Sequence, residues 1–177
     1  MASLPTRLHH YAFVVEDQEV NRRFFEEVLG LPLVATWCEK NYMPDFGREV
    51  EYCHTFFGLA DGGALAFFQF DSPDIYKKAR NVDAEVPRFR HIALKVDEET
   101  FHAIDGRLKK AELPVRQVDH GYCKSLYCTS PDGLIVEFTV DPPEVDRIAE
   151  MRKADARSEL KRWLGGDHHV NNDVRPH

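Results

Sequence analysis

The chain contains 177 residues, of which 43% are hydrophobic and 30% are charged, a composition typical of a globular protein with one sizeable core. The net charge of −7 argues against nucleic-acid binding, because phosphates are neutralised by clustered lysine and arginine. No apolar run approaches the roughly 18 residues of a membrane span. Residues 1–7 contain no apolar stretch of signal-peptide type, so we expect a cytoplasmic protein with reduced cysteines.

The first half of the chain predicts a strand, a helix and three further strands. A β-rich run over residues 10–15 opens with His10 and is followed by a helix over residues 17–29 with apolar residues at every fourth position. Two more strands follow, and the turn Asp61-Gly62-Gly63 leads into an apolar strand over residues 64–70.

The second half repeats this order. Its first strand opens with His91, its helix covers residues 97–111, and the turn Asp132-Gly133 leads into a strand over residues 134–140. The unit β-α-β-β-β therefore occurs twice. We predict an α+β fold in which two tandem modules form a curved mixed sheet around a central cleft.

The domain boundaries follow from these repeats. We expect one domain over residues 7–141, built from modules over residues 7–71 and 88–141 and a linker over residues 72–87. Residues 142–177 form a C-terminal helix, over residues 144–164, and a polar tail that contains His168, His169 and His177.

His10, His91 and Glu137 are the candidate metal ligands. The two histidines open equivalent strands, so their side chains point to equivalent faces and meet if the modules pair about a twofold axis. Glu137 interrupts an apolar strand, where an unpartnered carboxylate would cost several kcal/mol. Two histidines and one carboxylate are a set that holds a divalent ion and leaves positions open.

The first module lacks a matching carboxylate. Glu137 is four residues beyond Gly133, and the same count from Gly63 leads to Phe67. We therefore expect three protein ligands rather than four, with room for substrate oxygens and for a small gas molecule. Phe67 and His54 are the candidate substrate contacts from this module.

The doubled unit, with His10, His91 and the segment Pro131-Asp132-Gly133 before Glu137, resembles the vicinal oxygen chelate superfamily over residues 7–141. This superfamily contains glyoxalases, fosfomycin-resistance enzymes, bleomycin-binding proteins and extradiol dioxygenases. The resemblance implies one divalent metal ion, a small-molecule substrate and a homodimer.

Residues 118–137 resemble the type I extradiol dioxygenases more narrowly, with Ser130 as a mild departure from their pattern. The resemblance implies that His120 assists oxygen activation and proton transfer and that Tyr127 hydrogen-bonds the substrate. Those enzymes usually carry another histidine on the last strand of the first module, and residues 64–70 contain none. His54 lies on the preceding strand.

We therefore expect a dioxygenase that acts with O₂ on a catechol-like or other vicinal-oxygen molecule. Fe(II) is the favoured ion, and Mn(II), Zn(II) and Ni(II) suit the same ligands. One alternative is a non-redox lyase, isomerase or thiol transferase, although Ala12 replaces the hydroxyl residue usual in fosfomycin-resistance enzymes. The other is a drug-binding resistance protein, whose known examples generally lack the metal ligands.

Overall fold

Each half of the protein forms a four-stranded mixed sheet. The computed structural model describes residues 7–80, 91–167, 171, 172 and 174. The first half contains β1 (His10–Val14), α1 (Gln18–Arg22) with a π-helical continuation (Arg23–Val28), β2 (Leu33–Met43), a 3₁₀ turn (Pro44–Phe46), β3 (Arg48–Gly58) and β4 (Ala64–Phe70). The second half contains β5 (His91–Lys95), α3 (Glu98–Lys110), β6 (Arg116–Asp119), β7 (Lys124–Thr129) and β8 (Ile135–Val140).

Two further helices lie outside these units. The helix α2 (Pro73–Ala79) follows the first module, and α4 (Val145–Leu164) follows the second. Residues 81–90, which include part of the predicted linker, and His168, His169 and His177 lie outside the described residues. No helix in the described ranges is both long and apolar enough to cross a membrane.

The sheets have the same topology. Their strand orders are β1-β4-β3-β2 and β5-β8-β7-β6. The first strand of each module pairs in parallel with the last strand, and the remaining pairs are antiparallel. The prediction of an α+β fold from tandem βαβββ modules is confirmed, with a separate four-stranded sheet in each module.

The strand register corrects the predicted equivalence of Glu137 and Phe67. His10 pairs with the first residue of β4, and His91 pairs with the first residue of β8. Glu137, the third residue of β8, therefore corresponds to Ala66, the third residue of β4. Ala66 is no more a ligand than Phe67, so the first module does lack the carboxylate.

The glycine count is wrong by one residue because the turns differ in length. Gly63 is followed directly by the first residue of β4, whereas Leu134 separates Gly133 from the first residue of β8. Side chains alternate between the two faces of a strand, so this single residue moves the equivalent position to the opposite face.

The helix of the first module buries only part of the face predicted from Val20, Phe24 and Val28. The Asp17 carboxylate caps α1 by accepting two backbone N–H groups of the first turn, as expected of an N-cap residue. Val20 is 47% exposed, whereas Phe24, Phe25 and Leu29 are buried. The π-helical segment explains the difference, because its wider turn changes the spacing between buried positions.

Hydrogen bonds join the two modules. From α3, the Arg107 guanidinium donates to the carbonyl oxygens of Val28, at 2.7 Å, and Leu29, at 2.8 Å. The carboxylate of Asp132 accepts a hydrogen bond from the backbone N–H of Glu16 at 2.8 Å. One buried hydrophobic cluster contains residues from both halves. These contacts hold the two sheets and their helices as one packed body.

Candidate metal and substrate site

A buried carboxylate lies at the centre of the polar residues in the second module. Glu137 is only 5% exposed, and both of its oxygens have partners. The Tyr127 hydroxyl donates to Oε1 at 2.8 Å, and Nε2 of His91 lies 2.8 Å from Oε2. Strands β5 and β7 flank β8, so the sheet itself brings the three side chains together.

His120 extends this group through Tyr127. Its Nε2 lies 2.9 Å from the Tyr127 hydroxyl oxygen. A phenol has one hydrogen, and that of Tyr127 goes to Glu137, so His120 is the donor in this contact. Burial and the hydrogen bond to Glu137 raise the pKa of Tyr127, which keeps the phenol neutral at physiological pH.

Two ring contacts beside Tyr127 and His120 were not predicted. The Arg116 guanidinium lies 4.1 Å from the centre of the Tyr127 ring, and the two residues are cross-strand partners on β6 and β7. Tyr122 stacks on His120 with ring centroids 5.8 Å apart. The sequence could have indicated the Arg116 contact. If residues 120–123 form the turn of a hairpin, counting outward from the turn pairs Arg116 with Tyr127 across the two strands.

The C-terminal tail lies against the turn that follows His120. The Asn172 side-chain amide donates to the backbone carbonyl of His120 at 3.0 Å. Gly121 has a φ of +82°, and a Cβ placed there would collide with the Asn172 carbonyl oxygen. Arg147 of α4 also donates to the Val174 carbonyl at 2.6 Å. The tail therefore packs where it can influence the position of His120.

On the first module, His54 lies on the same face as His10. The two ring centroids are 6.1 Å apart, and the His54 ring stacks on Phe68 at 3.6 Å. His54 is 8% exposed, and its Nε2 has no hydrogen-bond partner among the described residues. Burial and the nearby His10 lower the pKa of His54, so its imidazole is neutral at pH 7.

Aromatic side chains continue this face away from His10. Phe68 and Phe70 stack with centroids 6.4 Å apart, and Tyr52 contacts both rings at 5.6 and 6.1 Å. We call these three residues, together with His54 and Phe56, the aromatic wall. All but His54 are half-buried, so the wall offers apolar surface to a ligand.

Phe67 lies on the opposite face from this wall. It is fully buried, and its ring packs against Phe25 at 4.5 Å and Phe57 at 5.7 Å. The structure therefore places Phe67 in the core beneath the π-helical segment, where it offers no surface to a substrate. Phe68, its neighbour on β4, is half-buried and lies on the face of the aromatic wall.

The two modules present matched positions with different chemistry. Tyr127 is the cross-strand partner of Glu137, and Phe56 is the partner of Ala66, the residue equivalent to Glu137. The first module thus carries an apolar version of the polar group in the second. The second module therefore offers polar groups that suit a metal ion, and the first module offers apolar surface that suits an apolar part of a ligand.

The three predicted ligands, His10, His91 and Glu137, carry nitrogen and oxygen atoms of the type that bind a divalent ion. Two of the three are already in contact. His91 and Glu137 are in contact, whereas Nδ1 of His10 lies 2.8 Å from Nδ1 of His9. Across the described ranges, no three His, Cys, Asp or Glu side chains are arranged to hold an ion. A metal ion bound by both atoms would replace the direct contact between His91 and Glu137.

Comparison with known proteins agrees with this architecture. A model of the glyoxalase/bleomycin resistance protein/dioxygenase superfamily matches residues 7–138. The chain belongs to this superfamily. Its members generally bind a divalent metal ion, and residues 139–177, which include α4 and the tail, lie outside the match.

Two curated members of the superfamily are similar to this chain in sequence. The metallothiol transferase FosB of Lysinibacillus sphaericus (strain C3-41) is 26% identical over 140 residues, which are 74% of this chain and 79% of that protein. The glutathione transferase FosA of Serratia marcescens is 26% identical over 133 residues, covering 75% and 79%.

A solved structure from the superfamily shares the fold. It is a glutamate-to-glutamine mutant of the fosfomycin resistance protein FosX from Listeria monocytogenes, in complex with Mn(II) and 1S,2S-dihydroxypropylphosphonic acid. The TM-score is 0.54 at 16% identity, and the alignment covers 82% of this chain and 99% of that one. At this identity the likeness establishes the fold alone.

Proposed function

We propose that this protein is a metal-dependent dioxygenase of the extradiol type, with O₂ and a catechol-like small molecule as its substrates. One observation carries the proposal: His120, Tyr127 and Glu137 form a continuous hydrogen-bonded row, with contacts of 2.9 and 2.8 Å. A proton-carrying imidazole is thereby connected through a neutral phenol to a candidate metal ligand. Ring cleavage needs such a proton-transfer group beside the ion.

His91, Glu137 and His10 would hold the ion, for which Fe(II) is the favoured choice. When bound, the ion would supply a common binding point for two adjacent substrate oxygens and for O₂. His10 is exposed and therefore changes rotamer without repacking the core. Tyr127 keeps Glu137 oriented through Oε1 while Oε2 is available for the ion.

His120 and Tyr127 would act on the substrate. The Tyr127 hydroxyl, whose hydrogen goes to Glu137, would accept a hydrogen bond from a substrate hydroxyl, and His120 would deliver or receive a proton beside it. General acid–base groups of this type contribute about 10²- to 10⁴-fold to a rate. The tail contact at the His120 carbonyl fixes the backbone from which this side chain projects.

The aromatic wall would bind the ring of the substrate. Its half-buried phenylalanines offer flat apolar surface, and Nε2 of His54 is the polar atom on this face that lacks a partner among the described residues. A buried polar atom without a partner is costly, so a substrate hydroxyl that pairs with His54 gains affinity. A catechol supplies both an aromatic face and hydroxyl groups.

Metal-dependent thiol transfer is the second candidate. Its support is the 26% identity to two curated thiol transferases. Ala12 and Ala66, which pair on β1 and β4, leave this part of the first module apolar. A phosphonate substrate needs polar or cationic partners, so this surface favours the dioxygenase.

An oxygen-uptake assay separates the two candidates. The protein is purified anaerobically, loaded with Fe(II) and supplied with a panel of small catechols. We expect O₂ consumption, a yellow ring-cleavage product and a rate at least about 10²-fold lower in His120→Ala. His102→Ala, an exposed histidine on α3, is the matched control and should retain full activity.

Two other results would reject the dioxygenase proposal or favour thiol transfer. Absence of uptake with every catechol in the Fe(II)-loaded protein would contradict the dioxygenase proposal. Consumption of an epoxide and a thiol by the Mn(II)-loaded protein would instead establish thiol transfer.

A further inference from the structure

Two of the four cysteines lie opposite each other on neighbouring strands, away from the candidate metal ligands. Cys38 on β2 is the direct cross-strand partner of Cys53 on β3, so the two side chains project from the same face of the sheet. Opposite residues in an antiparallel pair have Cα atoms about 4.5 to 5.5 Å apart. A disulfide spans about 4.4 to 6.8 Å between Cα atoms, so this pair can be bridged without moving the backbone.

The two thiols differ in accessibility. Cys38 is exposed, and Cys53 is half-buried. Both line a cavity of about 490 Å³, together with Gln18, Lys40, Glu51 and Gln69. A cavity of this size accommodates a small organic molecule, and its side-chain amides and charged groups offer polar contacts beside a larger apolar surface.

We propose that Cys38 and Cys53 form a dithiol site that reduces a low-molecular-weight disulfide and is itself converted to an intramolecular disulfide. The Cys38 thiolate attacks one sulfur of the small disulfide, forms a mixed disulfide and releases the first thiolate. The Cys53 thiolate then attacks the Cys38 sulfur, forms the Cys38–Cys53 bond and releases the second thiolate. Two electrons pass from the protein to the small disulfide, and the two thiolates take up the protons lost by the cysteines.

The order of attack follows from the surroundings of each sulfur. Cys38 is the exposed thiol and meets the small disulfide first. Burial, and to a smaller extent the neighbouring Cys38, raises the pKa of Cys53, which makes Cys53 the slower of the two thiols to react. Tyr52 and Phe70 of the aromatic wall line the same cavity, so the dithiol site shares part of its surface with the proposed substrate site, but its chemistry needs no metal ion.

The other two cysteines should not react. Cys123 and Cys128 are buried on or beside β7, and burial raises the pKa of Cys128 to about 12. A thiol that remains protonated and buried is a poor nucleophile. Oxidation should therefore consume two of the four thiols and leave two.

Glutathione disulfide is the probe that tests the proposal. The full chain is incubated with an excess of it, quenched with acid and examined by intact mass and peptide mapping. We expect the wild-type protein to lose about 2 Da through a Cys38–Cys53 bond. Cys53→Ser should accumulate a stable glutathione adduct on Cys38, because the resolving thiol is missing, and Cys38→Ser should remain unmodified.

Cys123→Ser is the matched control and should form the same disulfide as the wild type. Far-UV circular dichroism of each variant verifies that it is folded before the reaction. Four free thiols in the folded wild type after incubation would overturn the proposal. Bonding of Cys38 to another cysteine, or a Cys53→Ser protein without the adduct, would overturn it as well.

Discussion

The hydroxyl of Tyr127 donates a 2.8 Å hydrogen bond to Oε1 of Glu137, its direct partner across strands β7 and β8. Because Glu137 is only 5% exposed, this contact replaces hydration that the carboxylate loses on burial. It also links a candidate metal ligand to His120, so this pair of residues connects the proposed ion site with the proposed acid–base group. The first prediction tests this pair.

Tyr127→Phe should lower the free energy of unfolding by about 1–3 kcal/mol, because it leaves a Glu137 oxygen and the His120 Nε2 without their partner. Urea denaturation measures the change. Tyr52→Phe is the control: its hydroxyl contacts the exposed side chains of Asn41 and Glu39, so its removal should cost about 0.5 kcal/mol or less. Equal effects in the two variants would contradict the structural role of Tyr127.

The corrected register predicts opposite behaviour for two neighbouring phenylalanines. Phe67→Ala should cost about 3–5 kcal/mol of stability, because the ring is fully buried against Phe25 and Phe57. Phe68→Ala should cost less and should raise the KM for an aromatic substrate, since that ring belongs to the aromatic wall. Urea denaturation and steady-state kinetics measure the two effects. A core-like stability loss confined to Phe68→Ala would reverse the assignment of faces.

Gly121→Ala should displace the C-terminal tail. The new Cβ would collide with the Asn172 carbonyl oxygen. The φ of Gly121, +82°, is also strained for any residue with a side chain. Hydrogen exchange at residues 171 and 172 should become faster, and turnover should fall with the altered position of His120. Gly47→Ala is the matched control, since Gly47 has φ of +65° but nothing within 4 Å of the added carbon. Unchanged exchange in Gly121→Ala would show that the tail does not depend on this contact.

The first helix should lose an ion pair in acid. Hydrogen bonds from Arg22 and then Arg23 lower the pKa of Glu19 from 4.5 to about 2. Since the folded pKa is below the unfolded one, the pair stabilises the protein above about pH 4.5 and this contribution disappears as the pH falls toward 2.

Glu19→Gln should therefore reduce the Tm at neutral pH, and the difference from wild type should vanish between pH 4.5 and about 2. Thermal unfolding across this range provides the measurement. Glu99→Gln on α3 is the control for loss of an exposed charge. A Tm difference that stays constant with pH would contradict the ion-pair explanation.

Local signals in the sequence were sufficient for the module order and the helix starts. The predicted helices start at Asp17 and Asp97, and both residues are the N-caps in the structure, because an aspartate before a helical run satisfies the first N–H groups whatever the tertiary packing. The equivalent histidines, His10 and His91, also open the strands that the repeat predicted.

Features that depend on one added residue or on distant segments could not be predicted. The extra Leu134 shifts the register of β8 relative to its turn, and the π-helical segment shifts the buried face of the first helix. The contact between Asn172 and His120 joins residues 52 positions apart, and no local pattern encodes it. Cys38 and Cys53 meet only because a long hairpin aligns them.

Metal content tests the claim that His91, Glu137 and His10 form one metal site. The protein is incubated anaerobically with Fe(II) or Mn(II), desalted and analysed by mass spectrometry of the metal. We predict about one ion per chain in the wild type and loss of that ion in His91→Ala, Glu137→Gln and His10→Ala. A wild-type chain that retains no ion, or a Glu137→Gln variant that retains it fully, would contradict the claim.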